Sequence, residues 1–326
     1  MTRAQVLPLD AKSYQRHFIH GEERAWTETN CYVDLWIELL HGYGLDPVPA
    51  LAHTVAIDFE GDGFTFFKPP LEDIEELYGF EVMEHNIWRP LPEHIKEQLA
   101  LGRPLLIEID AWFLPDTAGV SYKTDHAKTT VAVTAIDTEA KTLGYFHGRG
   151  YYELSGEDYV GALRLELPPG VVSLPPYTEI AKTRHLKRPS RAELTAISLK
   201  QLARHRAAMP TDNPMTRFGV RLVHDIEWLK TQPLQAFHQY SFATVRQLGS
   251  CAEVTASYMR WLGESGVPGL EPAAGAYDEI SATCKTMQFR LARVANTKKP
   301  WDASASVQTL ADSWALAKKT LTERVG

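Results

Sequence analysis

Trp26-Thr27-Glu28-Thr29-Asn30-Cys31-Tyr32-Val33-Asp34-Leu35-Trp36-Ile37-Glu38-Leu39-Leu40-His41-Gly42 is the stretch on which the reading of this chain turns. Thr29 and Asn30 are good N-cap residues, and Leu35, Trp36, Leu39 and Leu40 recur at helical spacing. Gly42 and Gly44 supply the stop. The spacing predicts a helix whose first turn carries Cys31, on the inward face one turn before Leu35. Unpaired N–H groups and the positive dipole end of a helix favour a thiolate over a thiol. A lone cysteine also fills core space as a small apolar side chain, so the position admits a nucleophile or a packing residue.

Outward from that helix, Thr54 to Phe59 and Phe64 to Phe67 read as short strands around the turn Glu60-Gly61-Asp62-Gly63. Helices are expected from Pro69 to Tyr78, stopped by Gly79, and from Leu91 to Leu101, stopped by Gly102. Pro104 to Asp110 has the look of a buried strand. Thr129 to Ile136, Leu143 to His147 and Tyr151 to Leu154 form a run of hairpin strands, with His126 just before the first. Leu167-Pro-Pro-Gly170 and Leu174-Pro-Pro176 end that region. Beyond it the pattern is helical: a capping box at Ser190 and Glu193, then helix starts at Asn213-Pro214, Pro233, Glu271-Pro272 and Asp302.

A cysteine at a helix start followed by a histidine at a strand start is the layout of the papain-like fold. The expected architecture is therefore α+β. Residues 1–184 form a papain-like domain, with the Cys helix packed on an antiparallel sheet, and residues 185–326 form an all-helical bundle. In such a layout the imidazole of His126 would take the thiol proton of Cys31, and the thiolate would attack a carbonyl or thioester. The chain has 12 histidines, so a polar loop residue is an equally natural reading of His126.

Composition narrows the field. With 34 basic and 41 acidic residues the net charge is −7, which predicts neither nucleic-acid nor membrane binding. Three cysteines without CxxC spacing argue against a disulfide framework or a structural zinc site, and no metal is expected. No leader-like or membrane-spanning run of apolar residues is seen, so a cytoplasmic protein is expected.

Leu101 to Pro115 (LGRPLLIEIDAWFLP), then His126 and Val131 to Asp137 (VAVTAID), resembles the N-terminal domain of butirosin-biosynthesis-protein-H-like acyltransferases. Glu28 to Trp36 (ETNCYVDLW), Tyr145 to Leu154 (YFHGRGYYEL) and Ala236 to Arg246 (AFHQYSFATVR) resemble a bacterial family of unassigned function. Its members are often encoded beside an amino acid:carrier-protein ligase. The first resemblance implies a papain-fold enzyme that moves an acyl group from a carrier protein's phosphopantetheine thiol to an amine. It implies Cys31 as nucleophile and His126 as base. The third position falls on His147, where relatives more often show Asp, with Asp110 as second candidate. The oxyanion glutamine position of papain is Ala25 here, so the hole would use the Cys31 N–H with Asn30 or Thr29.

Lys182, Arg184, Lys187, Arg188, Arg191, Lys200, Arg204 and Arg206 fall in a stretch with one acid, Glu193. They are expected either to receive an acidic acyl or aminoacyl carrier protein, chiefly through Lys187, Arg188 and Arg191, or to be a solvated linker and helix face. No cofactor is expected beyond phosphopantetheine on that partner. Trp228, Phe237, Tyr240, Phe242, Tyr258 and Trp261 read as core stripes, and Cys251 and Cys284 as inert packing. Beside the acyltransferase stand two alternatives: a non-catalytic carrier-protein-binding module on the same scaffold, and a thiol hydrolase or peptidase.

Overall fold

The computed structural model describes residues 2–27, 29–166, 170 and 174–325; Glu28 and the Leu167–Pro169 break lie outside these. The chain condenses into two compact units, each assembled from pieces distant in sequence. The first comprises Met1–Gly21, Cys31–Pro47 and Ile74–Arg188; the second comprises Glu22–Asn30, Val48–Asp73 and Pro189–Gly326. The sequence reading draws one boundary, at 184/185. The contacts assign two further segments, Glu22–Asn30 and Val48–Asp73, to the C-terminal unit.

The first unit is built on a seven-stranded antiparallel sheet. Its strands are β1 (Arg3–Gln5), β2 (Glu81–Glu84), β3 (Leu105–Asp110), β4 (Lys128–Asp137), β5 (Thr142–His147), β6 (Gly150–Ser155) and β7 (Thr178–Lys182). They lie in the order β2-β7-β3-β4-β5-β6, with β1 paired to the far end of β4. The helices are α1 (Cys31–Gly42), α2 (Leu71–Tyr78, which belongs to this unit from Ile74 onward), α3 (Leu91–Ala100) and α4 (Gly156–Ala162). Alternation along β3 and β4 sends Ile107, Ile109, Val131 and Val133 to one core, where Leu91, Ile95 and Leu99 of α3 meet them. The expected α+β class, with the Cys helix on an antiparallel sheet, is what the chain adopts.

The helix α1 packs on β4, β5 and β6 and runs across the strands. Tyr32 near its start reaches Glu179 on β7, while Gly42 at its end lies against Phe146 on β5. A Cβ at Gly42 would stand 2.5 Å from the Phe146 ring, so the close approach requires glycine there. Leu35, Trp36, Leu39 and Leu40 are all buried, each stabilising the fold by about 1.5–3 kcal/mol through area removed from water. Two acids share this buried helix. The His20 ring lies between them, with Nε2 3.2 Å from Asp34 Oδ1 and Nδ1 against Glu38. Tyr14 donates to Glu38 at 2.6 Å, and the His17 N–H donates to it at 3.1 Å. Burial alone would raise the Glu38 carboxyl; the hydrogen bond and charge of His20, with Tyr14 and the His17 N–H, outweigh it and hold it below the ordinary range.

Gly79 stops α2 at φ +76°, and a Cβ there would fall 1.9 Å from the His185 carbonyl oxygen. The strands β1, β2 and β7 and the helix α4 have no counterpart in the sequence reading. β1 is three residues long, β2 is an edge carrying two glutamates, and β7 follows a proline pair, so none shows a clear period.

The second unit holds α5 (Arg191–Ala207), α6 (Pro214–Thr231), α7 (Leu234–Ser241), α8 (Gln247–Glu264), α9 (Glu271–Thr297) and α10 (Ser304–Arg324). Its central helix is α9, packed by α6, α7, α8 and α10. The expected capping box is formed: Ser190 accepts from the Glu193 N–H, and the Glu193 carboxylate accepts from the Ser190 N–H at 2.8 Å. Asn213 caps α6 through the Met215 N–H at 3.0 Å. A π-helical segment, Phe242–Arg246, joins α7 to α8.

The expected strands Thr54–Phe59 and Phe64–Phe67 are corrected. Residues 48–56 form 3-10 turns, and only the single bridge Phe59–Phe64 remains of the expected pair. Thr54 shows why. Its hydroxyl donates to the Leu51 carbonyl (2.7 Å) and accepts from Thr255 (2.8 Å), and its carbonyl accepts from the Cys251 thiol (3.3 Å). Its apolar run is buried against helices α5 and α8, not in a sheet. Phe237, Tyr258 and Trp261 are core as expected, whereas Trp228 and Phe242 are 47% and 38% exposed.

Candidate functional site

Asp110 is the last residue of β3, and its carboxylate does two things. One oxygen accepts the Trp112 N–H at 3.0 Å, capping the short turn Ala111–Phe113. The other lies 2.6 Å from Nδ1 of His126. A carboxylate oxygen accepts here, so in the neutral imidazole Nδ1 carries the hydrogen and Nε2 the lone pair. The Trp112 indole stacks on the imidazole at 4.5 Å between centroids and 12° between planes, fixing its plane. Among the described residues nothing engages Nε2.

His126 and Asp110 line a cavity of about 420 Å³ with Glu108, Lys128, Arg164 and Tyr177. Lys128 pairs with Glu108 at 2.7 Å. Two tyrosines converge on Glu179 beside it, Tyr32 from α1 at 2.7 Å and Tyr177 from the cavity wall at 2.9 Å. Burial first, and then the Glu179 charge, raise both phenols, Tyr177 to about 12, so both stay protonated and donate. The start of α1 and the wall of the cavity are thus tied to one carboxylate.

Cys31 opens α1, partly exposed. It is the accessible thiol of the three, since burial pushes those of Cys251 and Cys284 well above the usual range. Among the described residues no hydrogen bond joins Cys31 to His126, and Cys31 is not a lining residue of the cavity. The Asn30 amide donates to the Phe67 carbonyl at 2.7 Å, and the Thr29 hydroxyl to the Thr27 carbonyl at 3.4 Å.

His147, the expected third member, does not meet His126. Its Nδ1 lies 2.5 Å from Asp116 and its Nε2 2.7 Å from the Thr129 hydroxyl, while Tyr145 donates to the other Asp116 oxygen at 2.5 Å. Both ring nitrogens are occupied in this buried network, so neither is left for His126. The carboxylate that meets the His126 ring is Asp110. Neither Trp112 nor Asp116 is singled out by the sequence reading. An indole two residues past the strand-end Asp110 was the available signal for the first.

The three basic residues expected to receive a carrier protein are engaged within the chain. Lys187 donates to the Glu76 carbonyl (2.5 Å), and Arg188 to the Tyr43 carbonyl (2.7 Å). Arg191 lies over the Trp261 ring at 4.3 Å and donates to Ser265 at 2.7 Å. Lys182 and Arg184 pair with Glu81 at 3.0 and 2.6 Å, and Arg204 pairs with the buried Asp73. Their charge stays near the surface while their hydrogen bonds hold elements together.

Among the described residues no three His, Cys, Asp or Glu side chains gather to hold a metal ion, and no helix is long and apolar enough to cross a membrane. No curated protein matches the chain. Residues 15–183 match the DUF1839 N-terminal domain, and residues 191–323 the DUF1839 C-terminal domain. The chain belongs to the DUF1839 family.

Proposed function

We propose that this chain is a cysteine-dependent acyltransferase on a papain-like scaffold, moving an aminoacyl group from a carrier protein's phosphopantetheine thioester to an amine. The observation that carries the reading is the Asp110–His126 pair, which leaves Nε2 basic and unengaged at a cavity. The accessible thiol at a helix start supports it. Nε2 takes the Cys31 proton, and the thiolate adds to the thioester carbonyl. The carbon–sulfur bond to phosphopantetheine breaks, and that sulfur leaves with the proton. An amine then attacks the enzyme thioester and releases Cys31. Thioester exchange is close to neutral in energy, so the site needs positioning and a thiolate more than strain. Catalytic hydrogen bonds are often long in the free enzyme and tighten with substrate bound, and the Cys31–His126 pair would form in that complex.

The partner in this reading is a small acidic carrier protein, loaded by an amino acid:carrier-protein ligase. Its docking would draw on the basic stretch around Lys187, Arg188 and Arg191. Reversing Lys187 and Arg188 would also break structural bonds, so salt dependence with the wild-type chain is the cleaner probe.

Mixing the chain with aminoacylated carrier protein and recording intact mass tests the mechanism. Wild type should gain the acyl mass and Cys31→Ala should not. His126→Ala should be slower by about 10²–10⁴-fold. Iodoacetamide should label Cys31 in the folded chain and spare the buried Cys251 and Cys284. A second reading, a non-catalytic carrier-binding module, is favoured by the missing Cys31–His126 hydrogen bond. It takes precedence if wild type binds loaded carrier yet never gains mass.

A further inference from the structure

In the second unit, a cavity of about 500 Å³ lies beside α6, lined by Asp62, Arg221, His224, Asp225, Trp228 and Tyr240. That volume is in the range of small-molecule sites, about 300–1,000 Å³. Arg221, His224, Asp225 and Trp228 recur at helical spacing, so one face of α6 forms a wall. Asp62 comes from the Glu60–Gly63 turn and Tyr240 from α7.

The charges decide what the cavity can hold. Arg221 is already committed: its Nε lies 2.7 Å from Asp225, and an Nη donates to the Gly61 carbonyl at 3.2 Å. With its fork occupied on two sides, it is poorly placed to receive an anion. Asp62, by contrast, is exposed and makes no hydrogen bond or ion pair among the described residues, its charge acting on the Arg221 guanidinium only through space. Two carboxylates against one guanidinium leave the walls with one spare negative charge.

The remaining walls are aromatic. Trp228 is 47% exposed on a helix whose Leu222, Ile226 and Leu229 are buried, so its ring serves the cavity and not the core. The Tyr240 hydroxyl is shielded from solvent; burial first, and then the neighbouring Asp225 carboxylate, keep it protonated, so what it offers the cavity is its ring. Aromatic faces attract cations through their quadrupole, and a nearby carboxylate adds charge attraction. A spare carboxylate and two ring faces suit one chemical class.

We propose that this cavity binds a small organic ammonium ion with an apolar body, its charge at Asp62 and its apolar part against Trp228 and Tyr240. The proposal is independent of the acyltransferase reading, and its test measures binding alone.

Calorimetric titration of the full-length chain with three probes of similar shape tests it: phenethylammonium, 2-phenylethanol and phenylacetate. The cation should bind about tenfold more tightly than the alcohol, and phenylacetate most weakly. Asp62→Asn should erase the cation's advantage without weakening the alcohol, and Asp62→Glu should retain it. Trp228→Ala should weaken cation and alcohol alike by about tenfold. Asp62 and Trp228 are both exposed, and an unchanged melting temperature shows that each variant folds. The proposal is overturned if wild type shows no saturable binding of the cation, if phenylacetate binds tightest, or if Asp62→Asn keeps the wild-type order.

Discussion

Tyr32 donates its hydroxyl to Glu179 across 2.7 Å, fastening the residue after Cys31 to the strand that follows the cavity-lining Tyr177. Glu179 is 6% exposed and has Tyr32 and Tyr177 as donors. Tyr32→Phe keeps the ring and removes one donor, leaving a buried carboxylate short of a partner. Denaturant unfolding should show a loss of roughly 1–3 kcal/mol. If the thiol and cavity work together, acyl-transfer turnover should fall by more than the affinity for carrier protein does.

Asp110→Asn separates chemistry from stability. The pair is solvent-accessible, with the His126 side chain 67% exposed, and such a contact contributes about 0–1 kcal/mol to folding. The same change removes the group that keeps the proton on Nδ1. Turnover of a loaded carrier protein should therefore drop by about 10²–10⁴-fold, while the melting temperature moves little. Equal turnover in the variant would leave Asp110 as a turn cap alone.

Stability should decline as the solution is acidified below the ordinary histidine range. Burial lowers His17 and His53 from 6.5 to about 4, with the His41 charge adding to the effect on His17. Unfolded, both imidazoles take a proton near 6.5; folded, they stay neutral until about pH 4. The unfolded state thus binds more protons in that window. The associated stability is fully present above 6.5 and is lost as pH falls toward 4. At pH 5 each contributes a loss of about 2 kcal/mol. Urea midpoints at pH 7.5 and 5.0 should differ accordingly, and His53→Gln should remove about half of the difference.

Gly79→Ala should be among the most damaging single changes in the first unit. The backbone is left-handed there, and the added carbon would meet a main-chain oxygen that no rotamer change can move aside. A loss of about 3 kcal/mol or more is expected by thermal or denaturant unfolding. Retention of wild-type stability would mean that the His185 segment can shift freely.

Legibility followed local physics. The β-branched run of β4 and the hairpins after it, the Ser190–Glu193 capping box and the Asn213 cap carry their cues in adjacent residues, and all were readable. What was missed depends on distant partners. Thr54 to Phe59 has strand composition, yet Thr54 answers to Thr255 and Cys251. Asp34 and Glu38 sit at the spacing of a solvated helix face, and only His20 and Tyr14 reveal them as buried. A signal was present: Val33, Leu35, Ile37 and Leu39 surround the two acids, and a helix apolar on all sides is buried. At the candidate site, Asp110 and His126 were named from sequence and do meet. That Asp110 rather than His147 contacts the His126 ring was not legible, because it turns on Asp116 and Thr129 occupying the His147 ring.

The interleaving of the two units bears on how the chain is made. Trp26 donates its indole N–H to Ser281, a partner 255 residues away in sequence. During synthesis Glu22–Asn30 and Val48–Asp73 leave the ribosome long before the helices that cover them exist, and closing such distant contacts is slow. Buried side chains such as Trp26, Val48, Leu51 and Val55 must wait uncovered until α8 and α9 have emerged. A nascent chain stalled near residue 184 therefore carries apolar segments with nowhere to dock, and chaperone capture should concentrate at that length.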